Sequence, residues 1–371
     1  MIQSVNYGIV GLPNVGKSTI FSAITSAPVE TANYPFCTIS PNVGVVEVPD
    51  SRLDRIHTLI PAAKCIPAIT EFVDIAGLVK GSSKGEGLGN QFLSTIRNVG
   101  ILVHVVRCFA DDDVIHVNSE VNPAADIEVL NTELALADLQ SVEKRLVKNA
   151  RQVKVADIAI RREAAVMRDL LKRAAAHLGD GGPVRSMRLT AEEAMRLNAL
   201  SLITAKTQIY VCNVGEEGIA GNSKMVQSVM SIADEEDAKV VLLCGKLESD
   251  IAALDDEQEK ALFLKESGMG ESSLSRLIKT AYGSLDLRTF FTTGAAATRA
   301  WTFKNGATAP QCAGVVHGDF ERGFIKAEVY HCEDLFELGT ESAVKSAGKL
   351  RVEGKEYRVR DGDVVHFKFN I

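Results

Sequence analysis

Gly11-Leu12-Pro13-Asn14-Val15-Gly16-Lys17-Ser18 follows the mostly apolar run Val5 to Val10 and precedes the helix-like stretch Thr19 to Ser26. These eight residues match the phosphate-binding loop G-x-x-x-x-G-K-S in the strand-loop-helix context the motif requires. Gly11 and Gly16 let backbone N–H groups curl around the β- and γ-phosphates, Lys17 supplies a point charge, and Ser18 offers a hydroxyl to Mg²⁺. The helix that follows points its positive end at the same phosphates. A nucleoside triphosphate is the expected ligand, with Asn14, Val15, Gly16, Lys17, Ser18 and Thr19 as its phosphate-side contacts.

The order of the downstream motifs is that of a switch-type nucleotidase. The apolar stretch Ala68 to Ile75 runs into Asp74-Ile75-Ala76-Gly77. Asp74 then stands at a strand tip where it can hold the Mg²⁺ water shell, and Gly77 can offer its N–H to the γ-phosphate. Between the two motifs, Tyr34-Pro35-Phe36-Cys37-Thr38 supplies Thr38 as a second hydroxyl for the metal. The expected metal set is Ser18, Thr38 and Asp74.

A guanine site would carry Asn-Lys-x-Asp after a late strand, whereas this chain has Asn213-Val214-Gly215-Glu216. Adenine lacks one of the two donors that a carboxylate tuned to guanine accepts, so the altered tetrad weakens the case for GTP. Asn213 is left to bond either the base edge or the loop, and Glu216 is either a base contact or a solvated helix-start acid. Leu78 occupies the position after Gly77, where many switch GTPases carry the glutamine that orients the attacking water. Leucine cannot do this, so either turnover is slow or another polar group enters. His116, in the acidic loop Ala110 to His116, is the candidate catalytic residue.

At 371 residues and 46% apolar composition, the chain is long enough for two or three domains with substantial cores. No apolar run approaches the roughly 20 residues of a membrane helix, and no charged-then-apolar leader precedes the loop. A cytoplasmic protein without a membrane partner is expected. Seven cysteines with no C-x-x-C spacing argue against a disulfide framework and a zinc site. The net charge of −7 does not by itself point to nucleic acid.

Short apolar runs at Val5 to Val10, Val43 to Val48, Ala68 to Ile75, Ile101 to Cys108, Thr207 to Val214 and Lys239 to Cys244 read as buried parallel strands of a doubly wound α/β domain. The pattern is interrupted from about Ile127 to Lys206 by a stretch of helical composition. A seam with alternating three and four spacing runs through Leu139, Val142, Leu146, Asn149, Val153, Ala156, Ile160, Glu163, Met167 and Leu170. A helical hairpin is predicted, with its turn at Gly179 to Pro183 and its returning helix started by the capping box Thr190 to Glu193. From Asp138 to His177 the arm carries ten lysines and arginines against five acids, so it either tracks RNA phosphates or is a solvated face. Beyond Ser284 short strand-like runs, including Phe324 to Tyr330, Lys355 to Val359 and Val364 to Phe369, predict a small β-rich module.

Taken together, the loop Gly11 to Ser18, Tyr34 to Thr38, Asp74 to Leu78 with Lys84-Gly85-Glu86-Gly87-Leu88-Gly89, and Asn213 to Glu216 closely resemble the Obg-like ATPase (YchF) family, over essentially the whole chain. The resemblance implies an α/β P-loop G domain with a parallel-rich sheet, an inserted coiled-coil arm and a C-terminal β-grasp-like TGS domain. Their expected spans are 1–135 and 205–282 for the G domain, 136–204 for the arm and 283–371 for the TGS domain. It also implies Mg²⁺-dependent hydrolysis of ATP, with GTP weaker, a hydrophobic residue at Leu78 in place of glutamine, and His116 as the catalytic histidine. Ribosome association, through the large subunit and ribosomal RNA, is the expected partnership. A GTPase switch and a nucleotide-sensing scaffold with negligible hydrolysis are the competing readings. The segment Cys244-Gly245-Lys246 diverges from the usual Ser-Ala-Lys base loop, and the sequence carries no signal for oligomeric state.

Overall fold

A computed structural model describes residues 6–26, 29, 42–75, 88–111, 121–152, 157–254, 256–267 and 269–370. In chain order the elements are β1 (Asn6–Val10), α1 (Lys17–Thr25), β2 (Val43–Glu47), α2 (Ser51–Leu59), β3 (Cys65–Ile66), β4 (Ile69–Asp74), α3 (Leu88–Asn98), β5 (Ile101–Arg107), α4 (Pro123–Gln152), α5 (Ile158–Gly179) and α6 (Ala191–Asn198). They continue with β6 (Gln208–Asn213), α7 (Lys224–Glu235), β7 (Lys239–Leu243), α8 (Gly245–Ala252), α9 (Glu257–Glu266) and α10 (Ser273–Ser284). The last group is β8 (Leu287–Thr292), β9 (Thr298–Lys304), α11 (Ala309–Val316), α12 (Gly318–Arg322), β10 (Phe324–His331), α13 (Cys332–Leu338), α14 (Glu341–Ser346), β11 (Arg351–Glu353) and β12 (Asp363–Phe369). Two compact units result, one built on 6–26 and 72–273, the other on 27–71 and 274–371.

The first sheet has the order β2, β4, β1, β5, β6, β7. Its pairs β1 with β5, β5 with β6 and β6 with β7 are all parallel. Every residue of β5 and β6 is buried, which is why these strands read as nearly unbroken apolar runs rather than as alternation. Because parallel strands point the same way, the loops after β1, β6 and β7 open at one edge, where α/β sheets bind ligands.

The inserted helices differ in one respect from the expected hairpin. α4 and α5 are the paired helices, packing Val142 against Leu170, Leu171, Ala174 and Leu178, with Leu139, Leu146 and Met167 at the margin. The paired helices therefore both precede Gly179 to Pro183 rather than being joined by it, and the seam read as one line belongs to two helices. Asp157 caps α5, its carboxylate accepting the Ala159 and Ile160 N–H groups at 2.8 and 3.2 Å. The capping box at Thr190 does form and starts α6.

In the other unit a mixed sheet runs β11, β10, β12, β8, β9, β3. α11 closes its core, with Cys312 and Ala313 among Phe290, Phe303, Phe324, Val329 and Val365. The strand expected at Lys355 to Val359 is absent. That segment is a turn with one isolated bridge, Thr308 to Arg358, because the ladder partner of β10 is β11.

Candidate nucleotide site

β1 delivers the loop Gly11 to Gly16 to the open edge of the sheet, and α1 starts directly at Lys17. Gly16 has φ 95°, and a Cβ there would lie 2.3 Å from Asn213 Nδ2, so this turn requires glycine. Asn14 takes φ 61°, the left-handed conformation asparagine tolerates better than most residues. Val15 is buried and anchors the loop, while Asn14, Ser18 and Thr19 are exposed. Lys17 is 8% exposed and donates from Nζ to the Leu12 carbonyl at 2.7 Å, folding back over the loop.

Asp74 ends β4 near Lys17. Burial pushes its carboxyl above the usual carboxylate range, and the Lys17 charge opposes that shift. Burial likewise lowers Lys17, against the pull of Asp74. Asp74 Oδ1 is buried and finds no hydrogen-bond donor among the described residues. A carboxylate oxygen in that position lacks a partner that a hydrated divalent cation supplies, so the residues present fit Mg²⁺.

Asn213, at the end of β6, is 6% exposed and works inside the protein. Its Nδ2 donates to the Val15 carbonyl at 2.9 Å, and its Oδ1 accepts the Gly245 N–H at 3.0 Å. One amide therefore ties the phosphate loop to the loop after β7. The loop contact that the sequence left open for Asn213 is present. Val214 is buried and gives its N–H to Leu243. Glu216 is exposed, with Oε1 3.5 Å from Lys246 Nζ, so the two loops meet again in an ion pair at the edge of the sheet.

Sequence reasoning missed Arg107. It is 1% exposed, donates to the carbonyls of Phe109 and Asp111 at 3.2 and 3.0 Å, and lies over the Phe109 ring. An arginine closing a strand whose other residues, apart from His104, are apolar was the available signal. Thr38, Gly77, Leu78 and His116 lie outside the described residues.

A glycine-rich loop after the first strand, its lysine, an acid at a neighbouring strand tip and the Asn213 tie define a P-loop nucleoside triphosphatase on a GTPase-type α/β domain. The family of 50S ribosome-binding GTPases matches residues 6–140, and the YchF GTPase C-terminal family, described as a protein of unknown function, matches 287–370. Proteins named ribosome-binding ATPase YchF are 50% identical to this chain in Bacillus subtilis, over all of both chains, and in Escherichia coli O157:H7, over 98% of this chain and 99% of that one. A solved structure titled as the YchF GTPase of Schizosaccharomyces pombe superposes with a TM-score of 0.88 at 36% identity, covering 98% of each chain. The chain belongs to the YchF family. Among the described residues no helix is long and apolar enough to cross a membrane.

Proposed function

We propose that this chain is a Mg²⁺-dependent ATPase that associates with the ribosome and takes GTP more weakly. The observation that carries the base preference is the pair of loops after β6 and β7. The Asn213 amide bonds Val15 and Gly245, and the Glu216 carboxylate has Lys246 beside it. The acid that a guanine site aims at N1–H and N2–H₂ thus already has a cation partner. The relatives named as ATPases support the same choice, while the structural relative titled a GTPase keeps GTP as the rival.

In this reading Asn14 to Thr19 and Gly77 hold the phosphates, with Val214 and Glu216 beside the base. Ser18, Thr38 and Asp74 hold Mg²⁺, which neutralises charge on the phosphate oxygens when bound. Lys17 stays protonated to pair the phosphates, because the added negative charge of a ligand opposes the burial that lowers it. His116 orients the attacking water, a task Leu78 cannot perform. The arm from 136 to 204 and a TGS domain from 283 to 371 carry the ribosome-facing surfaces, and the G domain spans 1–135 and 205–282. The protein acts in the cytoplasm. Phosphate release measured with ATP and with GTP, for wild type and His116→Ala, tests this. The expected result is faster turnover of ATP, abolished in the variant with nucleotide affinity retained. Turnover of GTP alone, or a His116→Ala rate equal to wild type, contradicts it.

A further inference from the structure

Away from the nucleotide site, a pocket of about 210 Å³ lies between α3 and α4. Its polar walls are Ser94 and Arg97 from α3, and Gln140, Ser141 and Lys144 from α4. Arg97 reaches across and donates from Nη2 to Ser141 Oγ at 2.9 Å, and that hydroxyl donates to the Ala137 carbonyl. A third cation stands behind them, since Lys206 Nζ donates to the Arg97 and Val99 carbonyls.

Among the described residues no carboxylate lines this pocket. Asp138, whose carboxyl the Arg97 charge also acts on, is committed to the Ile203 N–H and to the Thr204 N–H and hydroxyl, at 2.7 to 3.0 Å. The contrast is a larger groove of about 700 Å³ along α5 and α6, where Glu163 and Glu192 pair with Arg196. There Arg196 is paired in place, whereas among the described residues neither Arg97 nor Lys144 forms an ion pair.

We propose that the pocket between α3 and α4 is a phosphate-binding site, with Arg97 and Lys144 supplying the charge and Ser94 a neutral hydrogen bond. Its volume falls below the roughly 300–1,000 Å³ of sites for drug-sized ligands, so it admits one phosphate group and not a whole nucleotide. The exposed row Lys144, Lys148 and Arg151 continues from it along one face of α4. A polynucleotide backbone seated in the pocket would meet those charges next. RNA phosphodiester is therefore the favoured source, a choice that rests on the ribosome reading, and free phosphate is the other. α3 follows the Asp74 to Gly77 stretch in the chain and α4 opens the arm, so the bound group would join these two helices.

The test first fills the nucleotide site with Mg²⁺ and a non-hydrolysable ATP analogue, so that added phosphate does not report on the P-loop. Anisotropy with a 12-nucleotide RNA across salt concentrations, and thermal melts with orthophosphate, are then compared for wild type and the double variant Arg97→Gln, Lys144→Gln. For an RNA source, the double variant binds RNA about tenfold more weakly and flattens the slope of log K against log salt by about 0.7–0.9, one phosphate contact. For a free anion, orthophosphate raises the Tm of wild type but not of the double variant, and the RNA slope is unchanged. Lys144→Gln alone, at an exposed position, carries the comparison if Arg97→Gln disturbs folding, and Arg97→Lys should restore part of the binding. A folded double variant equal to wild type with both probes overturns the proposal. If RNA binding then depends only on Arg161→Gln with Arg162→Gln, the pocket is refuted while the ribosome reading stands.

Discussion

Replacing Asn213 with alanine separates the two roles this residue can have. In the structure its amide bonds the Val15 carbonyl and the Gly245 N–H, both in buried surroundings. Each buried group left without its partner costs about 1–3 kcal/mol, so the pair is worth about 3 kcal/mol with partial rearrangement. For a unit of this size about 1 kcal/mol shifts Tm by about 2–4 °C, so Asn213→Ala should melt about 6–12 °C lower in differential scanning calorimetry. Because the tie holds the phosphate loop rather than the base, affinity for ATP and GTP should fall together and their ratio should stay within about threefold, which is about 0.65 kcal/mol. A melting temperature within 1 °C of wild type, combined with a collapsed ATP-to-GTP ratio, would refute this reasoning and make Asn213 a base reader.

Three further outcomes follow from other parts of the molecule. Asp74→Asn removes the carboxylate whose Oδ1 is buried without a hydrogen-bond donor among the described residues, and titration with and without Mg²⁺ should show that the metal no longer strengthens nucleotide binding while metal-free affinity is unchanged. Asp157→Ala deletes both capping bonds of α5 and should cost about 1 kcal/mol, read as faster amide exchange confined to the start of that helix. Hydrogen bonds from His366, and then from Tyr330 and Thr293, hold Glu341 down to about 2 from its ordinary 4.5. With a depressed folded value, the stabilisation is present above pH 4.5 and is lost as pH falls toward 2; as the side chain is 40% exposed, it amounts to about 1 kcal/mol or less. Chemical denaturation at pH 6 and pH 3 should show this acid loss in wild type, and a smaller loss in Glu341→Gln.

What could be read from the sequence followed how local its cause was. The phosphate loop depends on residues adjacent in the chain, and the strands after it are apolar because both faces of the sheet are covered. The capping box at Thr190 is equally local and formed as read. The division of the seam between α4 and α5 was hidden because Val153 and Ala156 continue the apolar spacing read through Asn149, with no glycine or proline to interrupt it. Its signal was Asp157, a cap residue whose role shows only once α5 is seen to start there. Lys355 to Val359 looked strand-like from its aromatic and β-branched residues, but strand pairing is decided by the partner, and β10 takes Arg351 to Glu353. In the site, the loop residues were legible from spacing, whereas the use of Asn213 as a tie between two loops depends on residues 198 and 32 positions away. The phosphate pocket was invisible for the same reason, since Arg97 and Lys144 meet only through packing of α3 on α4.

The central claim is base identity, and calorimetric titration of the purified protein with ATP and with GTP, each with Mg²⁺, tests it most directly. Tighter binding of ATP, undiminished by competing GTP, is the predicted result; a preference for GTP would contradict the account of Asn213 to Glu216 and with it the ATPase assignment.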